Sequence, residues 1–267
     1  MDTKLDDIAA SFDARASTYN RNEWHRHVAE ALVAHCQLRA GDAVIDAGTG
    51  TGFVALAAAR VVGPRGNVIA VDLSSGMLAI ARQQLHTPDM ASITWRQGNA
   101  ITLADVPASS VNAVLGAAVL LYMPVAEALH AWHRVLKPGG TVGFTAMRAG
   151  SPLAAKLFRV AAAAAGVLLE DPGAALGSEA ACDAALCHAG FVARTVSTIN
   201  VPFSAHDTGI AWVSNLGSPA HAAVRALGAD RLEKMKIDFQ DRVAQAESVT
   251  PGSTASAEVL LARGRSM

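Results

Sequence analysis

The chain has 267 residues, with 22 Lys+Arg against 23 Asp+Glu, a formal charge of −1, and 51% hydrophobic against 17% charged residues. That balance fits a globular, core-forming chain, excludes disorder as the main state, and lacks the basic excess of a nucleic-acid binder. Arg60, Asp72, Lys137 and Arg159 interrupt the apolar runs short of the ~18 residues that read as a membrane span. The acid-rich start has no apolar region of a secretion signal, and three cysteines suit a reducing cytoplasm.

The first forty residues read as helical. Ser11 and Asp13 are candidate caps, and Trp24, His27, Val28, Ala31, Leu32 and His35 recur at helical spacing. Strands are expected at Ala43–Asp46, Asn67–Val71, Ser92–Gln97 and Val111–Leu115, with a fifth at Thr141–Thr145 after a Pro-Gly-Gly break. Helices over Val54–Val61, Ser75–Leu85 and Val125–Val135 alternate with them, the pattern of a parallel sheet covered on both faces. Beyond residue 150 the reading is an alanine-rich helix at Ser151–Leu169, a break at Asp171-Pro172-Gly173, and a helix at Ser178–Ala189. A strand at Phe191–Ile199, mostly helix over 207–247 and a final strand at Ala255–Ala262 complete the chain. With no linker or repeat, one domain is expected: residues 1–40 a helical cap, 41–147 a binding core, and 148–267 lid helices and terminal strands.

The chemistry concentrates in VIDAGTGTG, 44–52. A strand ends at Asp46, and Gly48, Gly50 and Gly52 let the backbone turn tightly beside a ligand. A helix follows, so its first N–H groups face whatever lies over the loop. Asp72, at the end of the next strand, is placed to accept hydrogen bonds from ribose hydroxyls. A dinucleotide fingerprint would need Gly or Ala where Phe53 stands. The spacing is instead G-x-G-x-G behind an acid, which opposes pyrophosphate and suits an amino group. There is no G-x-x-x-x-G-K-[ST] of a nucleotide triphosphatase.

These residues resemble the class I S-adenosylmethionine-dependent methyltransferases, especially the small-molecule family that includes the ubiquinone-biosynthesis enzymes. SFDARASTYN is similar to that family's F-D-x-x-A-x-x-Y-D pattern, with Asn20 in place of the last acid. VIDAGTGTG is similar to its first motif, VIAVDLSSGML carries its ribose acid, RQGNA stands near its G-D-A, and RVLKPGG precedes its fifth strand. The resemblance implies a Rossmann-like, seven-stranded, mostly parallel sheet with helices on both faces, an antiparallel last strand, an N-terminal helical cap and helical lid insertions. It implies S-adenosyl-L-methionine as cofactor. Asp46 and the loop Gly48, Thr49, Gly50 and Gly52 would hold the methionine end, with Tyr19 closing over its carboxylate. Asp72 would take the ribose, Leu73 and Met77 would flank the adenine, and Asn99 and Ala100 would lie beside it. The Ala117 carbonyl would receive the amino group.

No carboxylate occurs between Asp105 and Glu127, where metal-dependent catechol methyltransferases place their ligands, so no catalytic metal is expected. Cys182, Cys187 and His188 fit no zinc spacing. The same stretch lacks the N-P-P-Y or D-P-P-Y segment of nucleic-acid and protein amide methylation. The expected reaction is in-line transfer of a methyl group to a small hydrophobic or aromatic metabolite, of the secondary-metabolic kind, in a pocket lined by Trp24, Tyr122, Phe158 and Trp212. His25 is the candidate base, and Tyr122 would orient the acceptor. The competing reading is a non-catalytic cofactor-binding scaffold or regulator. The acceptor's identity, the atom methylated and the oligomeric state are open at this point.

Overall fold

The computed structural model describes residues 3–19, 23–203 and 211–267. Asn20 and positions 207–210 of the expected helical stretch lie outside them. Seven strands form one sheet in the order β3-β2-β1-β4-β5-β7-β6. They are β1 (Ala43–Ala47), β2 (Asn67–Asp72), β3 (Ser92–Gln97), β4 (Val111–Gly116), β5 (Leu136–Met147), β6 (Val192–Pro202) and β7 (Ser256–Arg265). The first five run parallel, while β7 pairs antiparallel with both β5 and β6. The order reverses between β2-β1 and β1-β4, which opens a crevice at the carboxyl ends of the strands.

Along β1 and β4 successive side chains point to opposite faces. Ile45 and Val114 join a core with Trp132 and Leu129 of α5 (Val125–Val135) and Leu186 of α7 (Glu179–His188). Val44 and Leu115 join a second core with Leu32 of α2 (Trp24–Cys36) and Leu56 of α3 (Phe53–Val62). Each large apolar side chain buried in this way contributes about 1.5–3 kcal/mol. A third cluster gathers α6 (Leu153–Ala164), α8 (Ala211–Leu216), α9 (Ala222–Arg225) and α10 (Ala229–Val249) around Phe158, Met235 and Phe239.

Three expectations are corrected locally. Ser11 and Asp13 do not start a helix, because α1 (Thr3–Tyr19) runs through both, and Asp13 instead reaches across to α4 (Ser75–Ala81). That helix stops four residues short of Leu85, ending in turns at Arg82–Gln84. The Pro-Gly-Gly segment does not delay β5. Leu136 already pairs with Val111, and residues 137–140 bulge out before Thr141 pairs with Ala113.

Candidate functional site

The crevice is built from the ends of β1, β2 and β4 and roofed by α1. The loop after β1 is tied down by backbone bonds from Gly48 and Thr49 to the Val71 carbonyl, at 2.8 and 2.9 Å. Gly48 has φ +74°, and a Cβ there would lie 2.3 Å from Val119 Cγ2, so neither its conformation nor its surroundings admit a side chain. Gly50, at φ +53°, faces open space with no atom within 4 Å of where a Cβ would stand. It forms a bare floor for a ligand. Opposite, Ala118 N–H donates to Thr145 Oγ1 at 2.8 Å, fixing the loop after β4. Trp132 Nε1–H donates to the Ala100 carbonyl at 2.8 Å, fixing the loop after β3.

Two carboxylates organise the loops. Asp72 accepts from Gly50 N–H at 2.7 Å and from Ser74 N–H at 2.9 Å. Burial raises its carboxyl above the usual range, and these two donors partly offset the rise. Asp46 is fully buried. Its Oδ2 accepts from the Thr49 hydroxyl at 2.5 Å and from Ala55 N–H at 2.9 Å. Its Oδ1 is buried without a donor, and burial pushes its carboxyl up to about 7. A buried carboxylate oxygen in that condition is stabilised by an incoming N–H donor.

The crevice brings together Tyr19, Gly48, Gly50, Asp72, Leu73, Met77, Ala100, Ala117 and Tyr122 of the expected residues. Asp46, Thr49 and Gly52 support the loop from below instead of lining it. Gly52, at φ +93°, leads into α3 with Trp95 2.8 Å from where its Cβ would be. Asn99 accepts from Ile101 N–H at 2.8 Å and faces a neighbouring cavity. His25 is not part of the lining; its ring packs on Tyr19 at 4.3 Å and on Trp24 at 5.1 Å.

The expected aromatic pocket does not assemble. Trp24 is buried against the sheet with α2 and α3, while Phe158 and Trp212 pack on each other at 5.2 Å inside the third cluster. The rings at the crevice are Phe12, Tyr19 and Tyr122, with Phe12 edge-on to Tyr122 at 5.2 Å. Leu5, Ile8, Ala9 and Phe12 were legible as an apolar stripe at i, i+3, i+4 and i+7, in a segment whose acids drew attention first. Tyr122 and Met123 also line the adjoining cavity of roughly 850 Å³, which reaches Asp7, Glu127 and Arg225, a volume typical of ligand sites. Burial raises the Tyr122 hydroxyl above the ordinary tyrosine range, while the Arg15 guanidinium beside it pulls the other way.

Residues 44–140 match the family model described as a methyltransferase domain. A demethylmenaquinone methyltransferase of Symbiobacterium thermophilum is 34% identical over 149 residues, covering 55% of this chain and 58% of that protein. The aklanonic acid methyltransferase DauC of a Streptomyces species is 31% identical over 149 residues, covering 54% of this chain and 67% of that protein. The chain therefore spans little more than half the length of the first of these relatives. The YcgJ protein of Bacillus subtilis superposes with a TM-score of 0.60 over 91% of this chain and 99% of its own, at 19% identity, and shares the fold.

Proposed function

The chain belongs to the class I S-adenosylmethionine-dependent methyltransferases of the ubiquinone-biosynthesis-like type, and on that premise we propose that it methylates a small hydrophobic or aromatic metabolite. The carrying observation is Tyr122, whose side chain lines both the crevice under α1 and the wider cavity beside it. An acceptor in the second cavity then meets a donor in the first across a shared wall that includes Tyr122 and Met123. When bound, S-adenosylmethionine supplies a methyl group already activated by a sulfonium charge. The work left to the protein is alignment and exclusion of water, which can lower the barrier by several kcal/mol.

In this reading Asp46 Oδ1 and the Ala117 carbonyl accept from the methionine amino group, and Asp72 holds the ribose. Leu73, Met77 and Ala100 enclose the adenine, and Phe12 and Tyr19 cover the tail. Asn99, committed to Ile101 N–H and facing the adjoining cavity, stands at the edge of the adenine site and not in its lining. His25, stacked behind Tyr19, supports that ring. Tyr122, kept protonated by burial, orients the acceptor without deprotonating it, so the acceptor's own acidity must release the proton. The relatives that act, by their names, on demethylmenaquinone and aklanonic acid support an acceptor of this class. A metal-independent reaction is supported by the carboxylate-free stretch from Val106 to Ala126. One domain, a cytoplasmic place and a part in secondary metabolism belong to the same proposal. No described helix is long and apolar enough to cross a membrane, and the three cysteines are unpaired.

The test is incubation with methyl-labelled S-adenosylmethionine and a panel of quinols, phenols and isoprenoids. Label should pass to at least one acceptor and survive exhaustive chelation. Absence of transfer to every member, or turnover abolished by EDTA and restored by Mg²⁺, would overturn the reading.

A further inference from the structure

The roof over the crevice is a single helix. Leu5, Ile8, Ala9, Phe12 and Tyr19 of α1 all line it, so how firmly α1 is held governs how readily a molecule the size of S-adenosylmethionine passes under it. The apolar side chains of that helix that face the crevice are ones a ligand would itself touch, while its other face packs on α4. Asp13 is different. Its Oδ1 accepts from the Ser74 hydroxyl at 2.5 Å and from Gly76 N–H at 2.8 Å. Ser74 is itself organised by Asp72, which accepts from its backbone N–H at 2.9 Å, and the Ser74 oxygen in turn accepts from Met77 N–H at 3.0 Å. The chain Asp13–Ser74–Asp72 therefore runs from the roof to the acid assigned to the ribose. The contact is close: a Cβ on Gly76 would lie 2.9 Å from Asp13 Oδ1, 3.2 Å from Asp13 Cα and 3.4 Å from Ala16 Cβ.

We propose that Asp13 is a positioning residue, a latch that fastens α1 to the segment after β2 and sets how fast cofactor and demethylated product exchange. The latch is a property of the fold without ligand; its consequence for exchange rests on the cofactor reading above. A carboxylate oxygen holding two donors gives a strong yet reversible closure, since charge-assisted hydrogen bonds exceed neutral ones, and both donors can be taken over by water when α1 lifts. Gly76 is required on the other side, because only a residue without a side chain lets the helix backbone approach that closely.

The full-length chain tests this from both sides of the contact. Asp13→Ala should release S-adenosylhomocysteine about 5–20-fold faster in stopped-flow displacement, the scale of a charged hydrogen bond near solvent. Asp13→Asn, which keeps an oxygen acceptor, should restore most of the parent rate. The KM for cofactor should rise while kcat holds or increases, whereas simple loss of folded protein would lower kcat at unchanged KM. Gly76→Ala should reproduce the alanine variant at Asp13. A Gly→Ala change on a helix ordinarily stabilises it, so a loosened roof is a sign that only the contact predicts. Amide exchange on the ligand-free variants supplies an arm that needs no cofactor: α1 should exchange faster in both, with the sheet unchanged. A parent chain that binds no S-adenosylhomocysteine would defeat the functional reading and leave that arm to decide the latch. Unchanged α1 exchange in Asp13→Ala and Gly76→Ala, or unchanged release in a parent that binds, overturns it.

Discussion

The crevice at the ends of β1, β2 and β4 and the helical cluster around α6 use the same kinds of side chain in opposite ways. At the crevice Phe12, Tyr19 and Tyr122 turn faces and edges towards a space, Asp72 lines it, and Asp46 lies buried beneath its loop. In the cluster, Phe158 is fully buried and meets Trp212 at 5.2 Å, His221 at 5.0 Å and Phe239 at 5.9 Å. His221 Nδ1–H donates to the Asn215 carbonyl at 2.6 Å, and Arg159 pairs with Asp171 at 2.6 Å. Among the described residues no buried side-chain polar atom of that cluster lacks a partner. A region that satisfies itself stabilises the fold, whereas the buried Asp46 Oδ1 without a donor costs stability in the chain as it stands.

Substitutions can break that contrast, and the largest effect belongs to the cluster. Phe158→Ala should cost about 3–5 kcal/mol of unfolding free energy, the usual range for emptying an aromatic site in a core. Cofactor affinity of the folded fraction should stay unchanged. Denaturant titration with parallel calorimetry checks both, and a large affinity loss would place Phe158 in the site after all.

Asp46 comes next, through pH. Its carboxyl is raised to about 7, so the folded chain keeps a proton over a range in which the unfolded chain has lost it. The stability this contributes is full below about pH 4 and is lost as pH rises through about 7, a change on the order of a few kcal/mol. His221 has the opposite sign. Burial lowers it, so its contribution is present above its ordinary value and lost as pH falls. Asp46→Asn should flatten the loss on the alkaline side in ligand-free protein. An unaltered pH profile of melting would show that the carboxylate is ionised in the fold at no cost.

At the crevice itself, Asp72→Ala should weaken S-adenosylmethionine binding by about 1.5–3 kcal/mol, the scale of hydrogen bonds to a charged group. The change in unfolding free energy should be smaller. Equal affinity by calorimetry would remove Asp72 from the ribose. The smallest change is Tyr122→Phe, which deletes one hydroxyl and should raise the KM for the acceptor about 3–10-fold, a typical net hydrogen bond, with cofactor affinity intact. A shift in cofactor affinity alone would reassign Tyr122 to the donor side.

The same contrast explains what the sequence could disclose. The strands, the loop after β1 and Asp72 were legible because short contiguous segments dictate them. A glycine at φ +74° against Val119 has no substitute, and an acid closing a buried strand has little other use. The roof was only half legible: Tyr19 stands in a motif, but Leu5, Ile8 and Phe12 become site residues only once α1 is known to cross the crevice. Asp13 reads as a helix cap in a linear sequence because its true partners, Ser74 and Gly76, lie some sixty positions away. Trp24, Phe158 and Trp212 read as pocket rings in the sequence for a related reason. A large aromatic ring fills a core as readily as a pocket, and only packing partners distinguish the two. His25 looked like a base by its place near Tyr19, whereas the helix turns its ring onto Tyr19 itself.

The most direct test of this division is amide hydrogen exchange of the full chain with and without S-adenosylhomocysteine. The account predicts new protection over residues 46–52 and 72–77 and along α1, with exchange in α6 and α10 unaltered. Protection centred on α6 and α10, or none anywhere at saturating ligand, would contradict it.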